Sequence, residues 1–269
     1  MVGEGLKVIC ATEDTTRTRP EFLIKIFKAG IAGGATELCV ADTVGYAFPS
    51  GVEKQIRWIR DEIEEARDMY LHYHGHNDTG NSVSNTIAAI RTGGKIVGQG
   101  TWMGAGERTG NTPHEAILSS LESRGIRRYD ISYSVPAAEI TSEAFGIPIP
   151  RNHPLVGKIV FTYMTGIHTA GIVKAEQKGL PDVAGVVYSA VDPRRVNRTT
   201  KFNIGTLSGE YSVKAVIETI NKASGLNLQY SDELAAHLIN AAYAKNTDLS
   251  VEDVIRIAEE NGNGHLVIE

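Results

Sequence analysis

The feature that most restricts the fold is an alternation of short apolar runs with longer amphipathic segments, repeated four times before residue 125. Residues 6–12 (LKVICAT) read as a strand. Residues 20–33 read as a helix, with Pro20 near the first turn, Phe22, Leu23, Ile26, Phe27 and Ile31 at helical spacing, and glycines at the end. The strand pattern returns at residues 36–41 (TELCVA), 69–74 and 95–101, and the helix pattern at 50–67, 81–92 and 112–123. Strands that alternate with helices predict a parallel sheet packed against helices. The Gly33-Gly34-Ala35 and Thr92-Gly93-Gly94 connections supply the glycines that helix C-termini favour. Rhythm alone leaves a doubly wound sheet and part of a barrel both open.

Beyond residue 125 the rhythm stops. Residues 129–145 read as a helix interrupted by Pro136, 147–150 (IPIP) as extended or turn-like, and 151–210 as irregular with one apolar stretch at 156–161. Three helices follow at 212–223, 231–245 and 250–262, with Ser231 and Ser250 at their N-cap positions. The expected organisation is an α/β part over residues 1–128, then a linker and a mainly helical region over 129–269. Lys and Arg total 27 against 32 Asp and Glu, and no basic block stands out, which argues against an electrostatic nucleic-acid binder. Cys10 and Cys39 lie in apolar runs without C-x-x-C spacing, so buried reduced thiols are expected rather than a disulfide framework. No signal-peptide pattern opens the sequence and no apolar stretch reaches the roughly 18 residues of a membrane span, so a cytoplasmic location is expected.

The chemistry-bearing residues cluster where strands end. His72-Tyr73-His74-Gly75-His76-Asn77-Asp78 closes the third strand. Period two puts His74 and His76 on one side, with Cα atoms about 7 Å apart, a span two imidazoles can close on one metal ion. Hydrogen-bonded surface histidines would give the same pattern, and His72 is better read as support or packing. Gly104-Ala105-Gly106-Glu107-Arg108-Thr109-Gly110-Asn111 follows the fourth strand and is neither a P-loop nor a dinucleotide fingerprint. Glu13-Asp14-Thr15-Thr16-Arg17 follows the first strand and Asp42-Thr43-Val44-Gly45 the second. Each loop alone reads as ordinary helix capping. All four fall on one rim of a parallel sheet, where α/β enzymes place their sites.

The loops Asp42–Gly45, His74–Asp78 and Gly104–Asn111 resemble, in order, the D-T-V-G, H-x-H-N-D and G-x-G-E-R-x-G-N motifs of the 2-isopropylmalate synthase/homocitrate synthase family. These are metal-dependent enzymes that condense acyl-CoA with 2-oxo acids. Glu13-Asp14-Thr15-Thr16-Arg17-Thr18 resembles the E-D-x-x-R-T segment of the isopropylmalate synthase branch. Thr165-Gly166-Ile167-His168 resembles the S-G-I-H motif of the family's accessory subdomain, and Gly205–Gly209 the glycine-serine segment after it. The resemblance implies the second half of a (β/α)8 TIM barrel followed by a mainly helical accessory subdomain. It implies His74, His76 and Asn111 at a divalent metal (magnesium, manganese or zinc) and Thr43 on the 2-oxo acid carboxylate. Glu13 would lie near the reacting centre, His168 would act in proton transfer, and acetyl-CoA would be the co-substrate. Dimers are also implied, because the family's accessory subdomain reaches over a partner barrel.

Departures from the family matter as much. The D-x-T-L-R-D-G segment, which supplies an aspartate ligand on the family's first barrel strand, does not occur here. The expectation is therefore a partner, a separate subunit or the remainder of a longer protein, carrying that motif and the first four βα units. Tyr163 stands where the family often has another histidine, and the family's leucine-binding regulatory domain is not expected. Homocitrate, citramalate and Re-citrate synthases use the same chemistry and remain alternatives. A 3-hydroxy-3-methylglutaryl-CoA lyase is disfavoured, because that family uses a cysteine in a G-G-C loop and neither Cys10 nor Cys39 is placed for it. A non-catalytic regulatory partner of a full-length synthase is the alternative of another class.

Overall fold

The computed structural model describes residues 2–126 and 129–263. The chain divides into two compact units, Met1–Val156 and Gly157–Glu269.

In the first unit, strands β1 (Ile9–Thr12), β2 (Glu37–Asp42), β3 (Tyr70–Gly75) and β4 (Ile96–Gly98) form one parallel sheet in the order β1-β2-β3-β4. Helices α1 (Pro20–Ala32), α2 (Pro49–Glu62), α3 (Ser82–Arg91) and α4 (His114–Glu122) alternate with them. Helices α1 and α2 both open on proline, whose missing N–H is no loss in a first turn. The two sheet faces differ sharply. Leu38 and Val40 of β2 and Leu71 and Tyr73 of β3 pack with Leu23 and Phe27 of α1 and Ile56 and Ile59 of α2 in one core. Each such side chain, fully buried, stabilises the unit by about 1.5–3 kcal/mol. The alternate residues turn to the other face, where the small or polar Ala11, Glu37, Cys39, Ala41, His72 and His74 stand beside Ile9, Tyr70 and Val97. Both cysteines are free thiols, and burial pushes Cys39 up to about 11.

Helix α5 (Ser134–Phe145) also belongs to the first unit and packs on the turn at Trp102–Gly104. Pro136 does not interrupt it. The proline is the third helical residue, where a backbone N–H has no acceptor within the helix. His153 bonds the buried Glu115 of α4, which ties the segment after α5 to the same unit. The compact units thus divide at residue 156, whereas the sequence rhythm stops near 128.

The second unit opens with β5 (Thr162–Tyr163), then α6 (Gly166–Gln177) and α7 (Pro181–Val186), and β6 (Lys201–Phe202) pairs in parallel with β5. Helices α8 (Glu210–Ser224), α9 (Asp232–Lys245) and α10 (Val251–Glu260) bury Val213, Ile220, Leu234, Leu238 and Val254 together. Ser231 caps α9 through Leu234 N–H, and Ser250 and Asp253 form a reciprocal capping box on α10. Residues 151–210 are therefore more regular than their pattern indicates. The buried face of α6 is Thr169, Ile172 and Ala175, with only one strongly apolar residue to mark it.

Candidate active site

The strand ends carry the site because the sheet is parallel and every βα loop leaves from the same edge. Beyond β3 the chain meets the glycine-rich loop: His76 and Asn111 form an isolated antiparallel bridge, and Asn77 N–H donates to Gly110 O at 3.0 Å. This brings three side chains together. The His74 and His76 rings lie edge to face with centroids 5.4 Å apart. Asn111 Nδ2 lies 3.1 Å from His74 Nε2 and 3.4 Å from His76 Nε2. With the amide nitrogen toward them both ring nitrogens accept, and each imidazole then presents an Nε2 lone pair to one point. A half-turn of the Asn111 amide would present its oxygen there instead.

Glycines make this approach possible. A Cβ on Gly106 would stand 1.9 Å from Asn111 Oδ1, so only glycine leaves room for the amide. Gly45 has φ +59°, and its Cβ would meet His76 O at 2.7 Å. The second loop can therefore lie directly against the end of β3.

His74 and its neighbours Gln99, Thr101, Asn111 and His114 line an open cavity of about 360 Å³. Burial, then the Arg108 guanidinium and His74, holds His76 below the ordinary histidine range. Burial also lowers His114. Arg108 joins the loops: it donates to Asp78 Oδ1 and Oδ2 at 2.9 and 3.2 Å and to Thr43 O at 2.5 Å. That pairing lowers Asp78 and raises Arg108. Asn77 instead accepts from Ser82 N and Oγ at the start of α3, a structural use of its side chain.

The second strand end is organised by Asp42, which is fully buried. Its carboxylate accepts from Thr16 Oγ1 (2.9 Å), from Tyr46 and Ala47 N–H (3.0 and 3.2 Å), and from Tyr73 OH (3.2 Å). Thr43 Oγ1 accepts from Asp14 N–H at 2.7 Å, which leaves its own hydrogen to donate. Glu13 is exposed at the end of β1 and is not drawn into the histidine cluster. His168 belongs to the second unit, in the first turn of α6, where it stacks on Tyr188 with centroids 4.2 Å apart and meets Tyr163 edge-on at 6.4 Å. Of the residues singled out in the sequence, His74, His76 and Asn111 converge, and Thr43 joins the same network of loops through Arg108.

The donor set, two imidazoles and a carboxamide, fits a divalent cation that accepts nitrogen and oxygen ligands. Among the described residues no group of three or more His, Cys, Asp or Glu side chains is placed to hold a metal. Two further residues, Glu37 and Gln99, touch the site histidines or their neighbours and were not evident from sequence. Period two back from His74 marks His72 as sharing its face, but nothing local marks the partners.

The HMGL-like family matches residues 3–141. The chain belongs to this HMGL-like family. Its HMGL-like part therefore contains all four βα units and the whole loop cluster. Over 261 residues the chain is 33% identical to a 2-isopropylmalate synthase of Acetivibrio thermocellus, covering 92% of this chain and 48% of that protein. It is 30% identical over 270 residues to a 2-isopropylmalate synthase of Pyrococcus abyssi, covering 96% of this chain and 52% of that protein. A solved HMG-CoA lyase of Bacillus subtilis aligns with a TM-score of 0.47 at 23% identity, covering 55% of this chain and 53% of that one. The chain spans about half the length of the curated relatives it matches. No described helix is long and apolar enough to cross a membrane.

Proposed function

We propose that this chain is the C-terminal catalytic part, or a separate subunit, of a 2-isopropylmalate synthase-type enzyme. It would condense acetyl-CoA with a 2-oxo acid and hydrolyse the thioester. The observation that carries the reading is the convergence of His74 Nε2, His76 Nε2 and the Asn111 amide at one point beside the Thr43 and Arg108 loops. Identity of 30–33% to such synthases over more than nine-tenths of the chain supports it.

His74, His76 and Asn111 would hold the divalent metal, with a further carboxylate ligand from the first half of the barrel. When bound, the cation would supply Lewis-acid polarisation of the ketone. The Thr43 hydroxyl, already accepting from Asp14 N–H, would donate to the oxo-acid carboxylate and so orient the ketone. His168 would take a proton from the acyl-CoA methyl group, imidazole being the side chain most often used as a general base. The enolate carbon then bonds to the ketone carbon, and water cleaves the thioester to release CoA. Glu13, exposed at the β1 end, is available to the reacting centre in the completed barrel.

A partner carrying the first four βα units fits the unfilled sheet. On the helix-free face Ile9 of the edge strand β1 is 42% exposed and Tyr70 of β3 is 47% exposed, apolar surface that no described helix covers. The partner would be a separate subunit or the remainder of a longer protein, assembled as a dimer in a cytoplasmic setting.

The test mixes the chain with a half-barrel partner and a divalent metal and follows CoA release from acetyl-CoA. A panel of 2-oxo acids separates isopropylmalate from homocitrate, citramalate and citrate formation. A folded complex inactive with every oxo acid would reject the reading. One observation favours a second reading, a non-catalytic regulatory partner: the chain's own donor set lacks a carboxylate. That reading requires an unchanged partner rate when His168 is replaced.

A further inference from the structure

Behind His74 runs a chain of hydrogen bonds that crosses three adjacent strands. Glu37 Oε2 lies 2.6 Å from His72 Nε2. Gln99 Nε2 lies 3.1 Å from His72 Nδ1, and Gln99 Oε1 lies 2.9 Å from His74 Nδ1. The four side chains come from three adjacent strands: Glu37 opens β2, His72 and His74 share one face of β3, and Gln99 follows β4 with its N–H on Tyr73 O at 2.9 Å. His72 is only 7% exposed, so solvent does not substitute for these partners.

An ionised carboxylate only accepts, so His72 carries a hydrogen on Nε2; Gln99 Nε2 faces its Nδ1, and an amide nitrogen only donates, so that Nδ1 is the acceptor. Gln99 Oε1 then faces His74 and accepts from Nδ1–H. The lone pair of His74 is left on Nε2, the atom that faces Asn111 and His76. Reversing the amide would put the hydrogen of His74 on Nε2 and close that position to any cation.

We propose that Glu37, His72 and Gln99 form a tautomer relay that holds His74 as the Nδ1–H form with Nε2 free for a cation. They are positioning residues: none reaches the convergence point itself. The inference deepens the proposed metal role of His74 and rests on it, but the tautomer is measurable without metal. Such outer partners are commonly worth about 10–100-fold in metal affinity.

The test uses the full 269-residue chain, labelled with nitrogen-15 at histidine. Long-range proton–nitrogen spectra of the metal-free protein should show His72 as Nε2–H and His74 as Nδ1–H. Finding His74 as Nε2–H in the unsubstituted chain overturns the relay, and this reading needs no variant. Gln99→Met, which removes both bonds at nearly constant shape, should mix the His74 tautomers and weaken zinc binding at least 10-fold. Gln99→Glu keeps an acceptor for His74 Nδ1–H and should restore the His74 tautomer, while His72, then facing a carboxylate on each side, carries hydrogens on both nitrogens. Folded Gln99→Met protein with His74 still wholly Nδ1–H would also overturn the relay. If the tautomers behave as stated while the chain assembled with its half-barrel partner takes up no zinc, the relay stands and the metal reading fails.

Discussion

Arg108 holds Asp78 in a two-pronged pair, Nε to Oδ1 at 2.9 Å and Nη2 to Oδ2 at 3.2 Å, while the same Nη2 reaches Thr43 O. Three loops that are 30 to 65 residues apart in sequence are therefore joined by one guanidinium. Its planar fork fits this task and an ammonium does not.

Arg108→Lys should leave the melting temperature nearly unchanged, because the pair is substantially solvent-exposed. The loops should lose their common anchor, with CoA release in the assembled enzyme reduced on the order of 10-fold through misplacement of the site. Thermal melts set beside steady-state rates check both halves. A large loss of stability with unchanged rate would contradict the assignment.

Gly106→Ala introduces a Cβ where Asn111 Oδ1 stands 1.9 Å away. The amide must leave its position between the two histidines. Zinc titration of the purified variant should show about a 10-fold or greater loss of affinity. Equal affinity would mean that Asn111 is not part of the donor set.

Tyr73→Phe removes one donor from the buried Asp42 carboxylate while three others remain. The cost should fall at the low end for a buried polar group, about 1 kcal/mol in urea unfolding. Burial and Asp42 push the Tyr73 phenol far above its ordinary range, so it stays a donor at all working pH values.

Asp253 is held down to about 2 by Lys245 and the Ser250 N–H of the capping box, against an ordinary value of 3.8. A carboxylate with a depressed folded-state pKa stabilises the fold fully above its unfolded value. That contribution is lost as pH falls through the folded value. The melting-temperature gap between the unsubstituted chain and Asp253→Asn should be constant above about pH 5 and shrink toward pH 2. Circular dichroism melts across that window measure it, and a gap independent of pH would contradict the capping role.

The α/β repeat was legible because its information is local. Leu38 and Val40 or Leu23 and Phe27 announce strand and helix within a few residues, and burial follows from that period. Helix α6 was not legible, because Thr169 is buried through contacts made elsewhere: its hydroxyl bonds Thr165 O and Ser212 Oγ, 43 residues away. The same contrast holds at the site. His74 and His76 share a side by strand period alone, and Asn111 stands in a loop whose motif pointed to it. Glu37 and Gln99 carried no mark, since their meaning lies in contacts 35, 27 and 25 residues away.

The amino-acid sequence by itself determined the four βα units, which strand ends face one rim, and which donors are offered there. Only the tertiary structure decided how they are oriented. A ring nitrogen is ligand or donor according to the hydrogen bond on its opposite side, and that bond comes from neighbouring strands. Parallel pairing of β2, β3 and β4 places Glu37, His72, Gln99 and His74 in series, a juxtaposition that no local pattern in the sequence announces.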